Sequence, residues 1–271
     1  MIYKIKSPIF VLMIVSLVGM GLLMSCQQAS KPLFQPTWES LKQHETTQWL
    51  RDAKFGWGIC CYSATRGNAT WNSHAAYMDP ESRAAQDFCN KYGKVTTEFG
   101  YKDLIPKFTA EKFNAEEWAD LFAKSGAKFA SPVAEHHDGF ALWDTKYSDW
   151  NAAKMGPKRD VVGELEKAIK AKGMKYVTAF HHAANWFFFP TWDKNKDCSN
   201  PEYSGLYGPV HEEDAVPTNE FHDEWYGKLI EVVDKYDPDF VWFDFALDII
   251  REDYVKNFVA YYYNGFSPSD I

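Results

Sequence analysis

The chain has 271 residues, room for one large domain. Its net charge of −8, with no basic run beyond the first few residues, excludes a nucleic-acid binder, which needs clustered Lys and Arg to displace phosphate counterions. Hydrophobic residues at 46% promise a packed soluble core, and the 17% aromatic share suits both that core and the flat, apolar faces of sugar rings.

The first 26 residues read as an export signal. Lys4 and Lys6 give a short positive start, Ile9 to Met24 is mostly apolar, and Leu23-Met24-Ser25-Cys26 follows. The apolar run is short for a membrane span, which needs about 20 residues. The last four residues resemble the lipobox of bacterial lipoproteins. That resemblance implies acylation of Cys26, residues 27–40 as a tether, and a periplasmic or outer-membrane location in a bacterium, held to the membrane only by lipid. Four further cysteines, Cys60, Cys61, Cys89 and Cys198, allow three pairings in an oxidising compartment. Cys60 and Cys61 lie in an apolar run, so buried free thiols fit equally well.

From residue 41 onward strand and helix patterns alternate. Phe55–Ser63, Lys128–Ala134, Lys175–Phe180 and Asp239–Phe245 read as buried strands. Asn114 caps a helix, with Glu117 three residues on; Asp160 caps another that Lys172-Gly173 ends. A third helix runs from about Glu220 to Tyr236 and a fourth from about Glu252 to Tyr263. The segments 64–112 and 184–219 read as long loops. This alternation predicts an α/β fold with a parallel sheet. A doubly wound sheet and a barrel both fit it, and the placement of reactive groups decides. His136, His137 and Asp138 follow the second strand, His181 and His182 the third, and Asp244 ends the fourth. A (β/α)8 TIM-like barrel builds its site in this way, whereas an open sheet usually carries a glycine-rich loop after its first strand, and none is present. With four strands in place of eight, the barrel is expected to be incomplete in this chain, as in a truncated sequence.

The stretch from Phe113 to Trp150, with its H-H-D-G-F-A-L-W-D-T-K-Y-S-D-W block, then Gly156-Pro157-Lys158-Arg159-Asp160 and Asp237-Pro238-Asp239-Phe240-Val241-Trp242-Phe243-Asp244, resembles glycoside hydrolase family 29, the α-L-fucosidases. Phe55-Gly56 and Tyr62-Ser63 echo the family's first strand. The resemblance implies a retaining exo-hydrolase that removes terminal α-L-fucose from a fucosylated glycan, without a cofactor. It implies Asp244 as the attacking carboxylate, His136 and His137 as holders of fucose hydroxyls, and Trp242 as a pocket residue. Retention needs two carboxyls roughly 5–5.5 Å apart. The family's acid/base is expected from a region beyond this chain; Asp138, Glu135 and Asp248 are the stand-ins within it. Read without the resemblance, Asp244 fits a structural cap or a salt bridge as well as a nucleophile.

Several positions depart from the family. His181 and His182 stand where many members carry Tyr; one of them should enter the pocket, near Asn185 and Trp186, and which one stays open. Trp186 to Trp192 forms an apolar loop that is expected to wall the pocket, though packing against a second subunit fits it equally. The first strand ends Ile59-Cys60-Cys61-Tyr62-Ser63 with no His, leaving His74 to supply that contact. Thr70-Trp71-Asn72 is the nearest stretch to the family's Glu-Trp-Tyr, and Glu135 replaces a common Lys. Two other functions stay in view: a metal-dependent barrel hydrolase using His137, His181 or His182, and Asp244, and a non-catalytic or degenerate sugar-binding barrel. The sequence leaves the oligomeric state open.

Overall fold

The computed structural model describes residues 33–59 and 69–265. The signal segment with Cys26, the first part of the tether, and Cys60 to Ser63 lie outside the described residues.

Four strands, β1 (Gly56–Ile59), β2 (Phe129–Glu135), β3 (Lys175–Phe180) and β4 (Phe240–Phe243), pair in parallel in the order β1-β2-β3-β4. A doubly wound sheet reverses its strand order at a switch point; this one does not, and winds as a (β/α)8 barrel does. Four of the eight strands of such a barrel stand among the described residues. The two middle strands are buried almost throughout, as a covered parallel sheet requires. β1 approaches β2 closely because Gly56 lacks a side chain: a Cβ there would lie 2.3 Å from the Phe129 ring. Pro132 brings no ladder donor to β2, and the register of the β2–β3 pair shifts just beyond it, between Val133 and Glu135.

Among the described residues six longer helices accompany the sheet: α1 (Ala69–Met78), α2 (Arg83–Tyr92), α3 (Ala115–Lys124), α4 (Val161–Ala171), α5 (Asn219–Tyr236) and α6 (Glu252–Gly265). Asn114 caps α3 by accepting from the Glu116 and Glu117 amides, and Asp160 caps α4 by accepting from Gly163. Gly173 leaves α4 at φ 71°, a conformation that costs glycine little. α4 packs on β2 and β3 and also against α3, while α5 packs against α6. Leu165, Ile169, Tyr176, Phe180, Trp225, Leu229 and Phe258 fill the layer between sheet and helices.

Two sequence expectations need correction. Within the segment 64–112 the described residues are not one long loop: they carry α1, α2 and a tight turn at Tyr101–Lys107. The sequence of α1, ATWNSHAAYM, mixes polar and apolar residues around the helix, so it shows no amphipathic stripe. α2 did carry a legible start, since Ser82 accepts from the Ala85 amide and Ala85 and Phe88 face the core. Residues 34–40, within the span expected to be a tether, are engaged with the fold. The Phe34 amide donates to Asn264 Oδ1 at 2.7 Å, Trp38 bonds Glu252 at the start of α6, and Trp38–Leu41 is helical with Leu41 buried. Cys89 and Cys198 are free thiols, Cys198 being buried with its Sγ 3.3 Å from the Pro190 carbonyl. Among the described residues no helix is long and apolar enough to cross a membrane.

Candidate active site

Alternation along the strands decides which side chains meet. Phe243 packs into the helix layer, its ring 6.0 Å from Trp225 and 5.7 Å from Phe258. The Asp244 amide continues the ladder by donating to the Phe180 carbonyl at 3.1 Å. Successive strand residues face opposite ways, so Trp242 and Asp244 point to the barrel interior. β3 repeats the pattern. Phe180 belongs to the helix layer, and His181 turns inward to place Nδ1 3.0 Å from Asp244 Oδ2. His182 then returns to the helix layer, stacked on Trp225 at 5.9 Å with Nε2 3.3 Å from the Trp225 carbonyl. Of the two histidines between which the sequence left the choice open, His181 therefore faces Asp244 and His182 lies in the helix layer.

On β2 the Glu135 side chain leaves toward α5, where Lys228 Nζ lies 2.9 Å away. The strand ends there, which frees both following histidines from alternation. His136 stacks on His181 at 4.5 Å, and His137 lies 4.3 Å from His136. The turn beyond them depends on Gly139, whose φ is 76° and whose Cβ, if present, would sit 1.9 Å from the Leu206 carbonyl oxygen. The glycine of H-H-D-G thus follows from backbone geometry.

His137 divides its two nitrogens. Nδ1 lies 2.8 Å from the His181 carbonyl and must carry the proton it donates there. In the neutral ring Nε2 then presents a lone pair, 3.6 Å from Asp244 Oδ2. Burial pushes the His136 pKa down to about 2, aided by the neighbouring imidazoles, and His137 down to about 4. His181 is also lowered by burial, against the pull of Asp244. The cluster is therefore neutral near pH 7 and can accept and donate hydrogen bonds without a net charge.

Aromatic side chains frame this group. Trp242, 46% exposed, stands edge-on 5.7 Å from His181. Phe245, Trp71 and Phe188 lie 4.8, 5.6 and 5.4 Å from His137. Trp71 comes from the stretch already singled out, and Phe188 from the expected apolar loop; their individual roles were not legible. Trp186, expected near the pocket, is engaged with His211 and Ala215: its ring stacks on His211 at 4.1 Å, and Nε1 donates to the Ala215 carbonyl at 2.8 Å. Phe188 takes the place at the pocket, because the turn Asn185–Phe188 swings alternate side chains apart. His74 contacts Phe188 rather than Asp244, with Nδ1 2.6 Å from the Phe188 carbonyl and the two rings stacked at 4.4 Å.

The three stand-ins for a second carboxylate fare differently. Asp138 is fully buried and bonded by the Tyr101 hydroxyl, and Glu135 is paired with Lys228 in the helix layer. Both are engaged away from Asp244. Asp248 is exposed, in the turn after β4.

Comparison with known proteins gives a consistent set of matches. The family profile described as alpha-L-fucosidase matches residues 21–271. An alpha-L-fucosidase of Branchiostoma floridae is 31% identical over 264 residues, covering 93% of this chain and 54% of the relative. The plasma alpha-L-fucosidase of Homo sapiens is 33% identical over 224 residues, 81% of this chain and 44% of the relative. Among solved structures, the Thermotoga maritima alpha-fucosidase in complex with fucose aligns with TM-score 0.68 and 34% identity, over 86% of this chain and 54% of that one. The same protein with a mechanism-based inhibitor aligns with TM-score 0.69 and 34% identity over the same shares. The chain spans about half the length of the curated relatives it matches.

Proposed function

This chain belongs to the alpha-L-fucosidase family, and on that footing we propose that it is the nucleophile-bearing part of a retaining exo-α-L-fucosidase acting on terminal α-L-fucose of glycans. Asp244 is the nucleophile of this reading. The observation that carries it is the carboxylate's position at the end of β4, 3.0 Å from His181 and 3.6 Å from His137.

Each group has a part. His181 Nδ1, 3.0 Å from Asp244 Oδ2, steadies the carboxylate and leaves Oδ1 to attack the anomeric carbon. The C–O bond to the leaving group breaks as the ester to Asp244 forms, and water later cleaves that ester with net retention. His137 Nε2 accepts a hydrogen bond from a hydroxyl of the sugar, and His136 lines the same pocket. Trp242, Phe245, Phe188 and Trp71 offer apolar surface for the sugar's C–H faces and methyl group.

The test is hydrolysis of an aryl α-L-fucoside followed by NMR. The first product expected is the α-anomer, and Asp244→Ala should lower kcat by roughly 1000-fold or more, about 4 kcal/mol of barrier. A β-anomer first product, or an unchanged kcat in the variant, would contradict the reading.

We further propose that the protein is exported and anchored through Cys26. Cys26→Ser should move it from the membrane fraction to the soluble fraction and abolish labelling by radioactive palmitate. Unchanged fractionation would contradict the anchor.

A further inference from the structure

We propose that His136, His137 and His181 together chelate a divalent transition cation, Zn2+ foremost, and that the bound ion excludes the sugar from the pocket. The second half rests on the reading of this pocket as a fucose site; the first half does not.

One ligand nitrogen from each of the three buried rings falls within 4.8 Å of the others. Zn–N bonds of about 2.0–2.1 Å in a tetrahedron place ligand nitrogens about 3.4 Å apart, so small ring rotations would close the group on an ion. His137 already has the arrangement of a metal-binding imidazole: Nδ1–H on a backbone carbonyl, which fixes the ring, and Nε2 turned inward. Asp244 Oδ2, 3.0 Å from His181 Nδ1 and 3.6 Å from His137 Nε2, sets a carboxylate oxygen beside two of the three rings. Imidazoles with a carboxylate suit Zn2+, Co2+ or Ni2+, whereas Mg2+ and Ca2+ take oxygen ligands.

The third imidazole comes from His181; a Tyr at that position would leave two histidines and a phenol, a weaker set for such an ion. The exclusion follows from shared atoms. An ion that takes the lone pair of His137 Nε2 removes the acceptor a sugar hydroxyl needs, and one beside Asp244 holds the carboxylate that would attack. The ion therefore acts as an inhibitor and takes no part in hydrolysis.

The experiment is a Co2+ titration of the full chain, free of any histidine tag and stripped with EDTA, followed by visible absorption. One equivalent is expected to bind with the d–d bands of a nitrogen-coordinated site, Zn2+ should displace it, and L-fucose should weaken its binding. His181→Tyr and His136→Gln should each weaken Co2+ binding by at least about tenfold, while His44→Ala, whose ring stacks on Tyr263 outside the cluster, should not. Circular dichroism checks the folding of each variant, and His136→Gln carries the test if His181→Tyr does not fold. Absence of bands up to about 1 mM Co2+, a affinity too weak to matter, overturns the proposal, as does equal loss in His44→Ala. Binding that L-fucose leaves untouched sustains chelation and overturns exclusion. Activation of hydrolysis by the ion also overturns exclusion.

Discussion

His137 spends one nitrogen on the His181 carbonyl and keeps the other for the pocket. His137→Ala removes a buried hydrogen bond to substrate worth about 1–3 kcal/mol, so kcat/KM should fall roughly 10- to 100-fold. Steady-state kinetics on an aryl fucoside checks it, and an unaltered kcat/KM counts against this role. The same scale separates Phe188 from Trp186. Phe188→Ala should raise KM, because its ring lies 5.4 Å from His137, whereas Trp186→Phe should lower thermal stability with KM unchanged, because its indole bonds the Ala215 carbonyl. At this scale much was legible. The meeting of the H-H-D-G histidines with Asp244 was legible, because side chains ending several parallel strands converge on one rim. The choice between His181 and His182 was not legible. It turns on whether β3 ends at Phe180 or one residue later, and strand ends are uncertain by about that much from sequence alone.

The ion pair of Glu135 with Lys228 ties β2 to α5, with Glu224 as a second partner of the lysine. Burial pushes the Glu135 carboxyl up to about 7 despite the lysine. Lys228→Met should therefore cost about 3–5 kcal/mol at pH 8, where a charged carboxylate is left unpaired in the helix layer. At pH 5 the carboxyl takes up a proton and the cost should shrink. Denaturant melts at the two pH values check this, and an equal loss at both would refute it. The element-scale lesson concerns which signals reached the sequence. Caps at Asn114 and Asp160 and the apolar stripes of α3, α4 and α5 were legible. α1 was not, since it lacks a stripe, and neither was the docking of Trp38, because contacts across more than 200 positions of chain leave no local pattern.

Across the whole molecule, the buried histidines set how stability follows pH. His136, His137, His181 and His182 all have lowered pKa values through burial. Below their ordinary value near 6.5 the unfolded chain takes up protons that the folded chain refuses, so stability is full above that pH and falls as pH drops toward about 4. Glu135 and Asp197, both raised by burial, act in the opposite sense, but they are two groups against five histidines once His74 is included. Melting temperature should therefore drop from pH 7 to pH 5, and His136→Gln should flatten that drop; a flat profile in the parent protein would contradict it. The α/β class and the barrel's strand order were legible at this scale because strands and helices alternate with their reactive groups at one end.

The claim that Asp244 forms the bond to the sugar can be tested most directly by trapping. The protein is incubated with an activated 2-fluoro-fucoside, digested and read by mass spectrometry. A fluorofucosyl adduct on the peptide bearing Asp244, absent from Asp244→Ala, is the expected result; an adduct on another carboxylate would contradict the account.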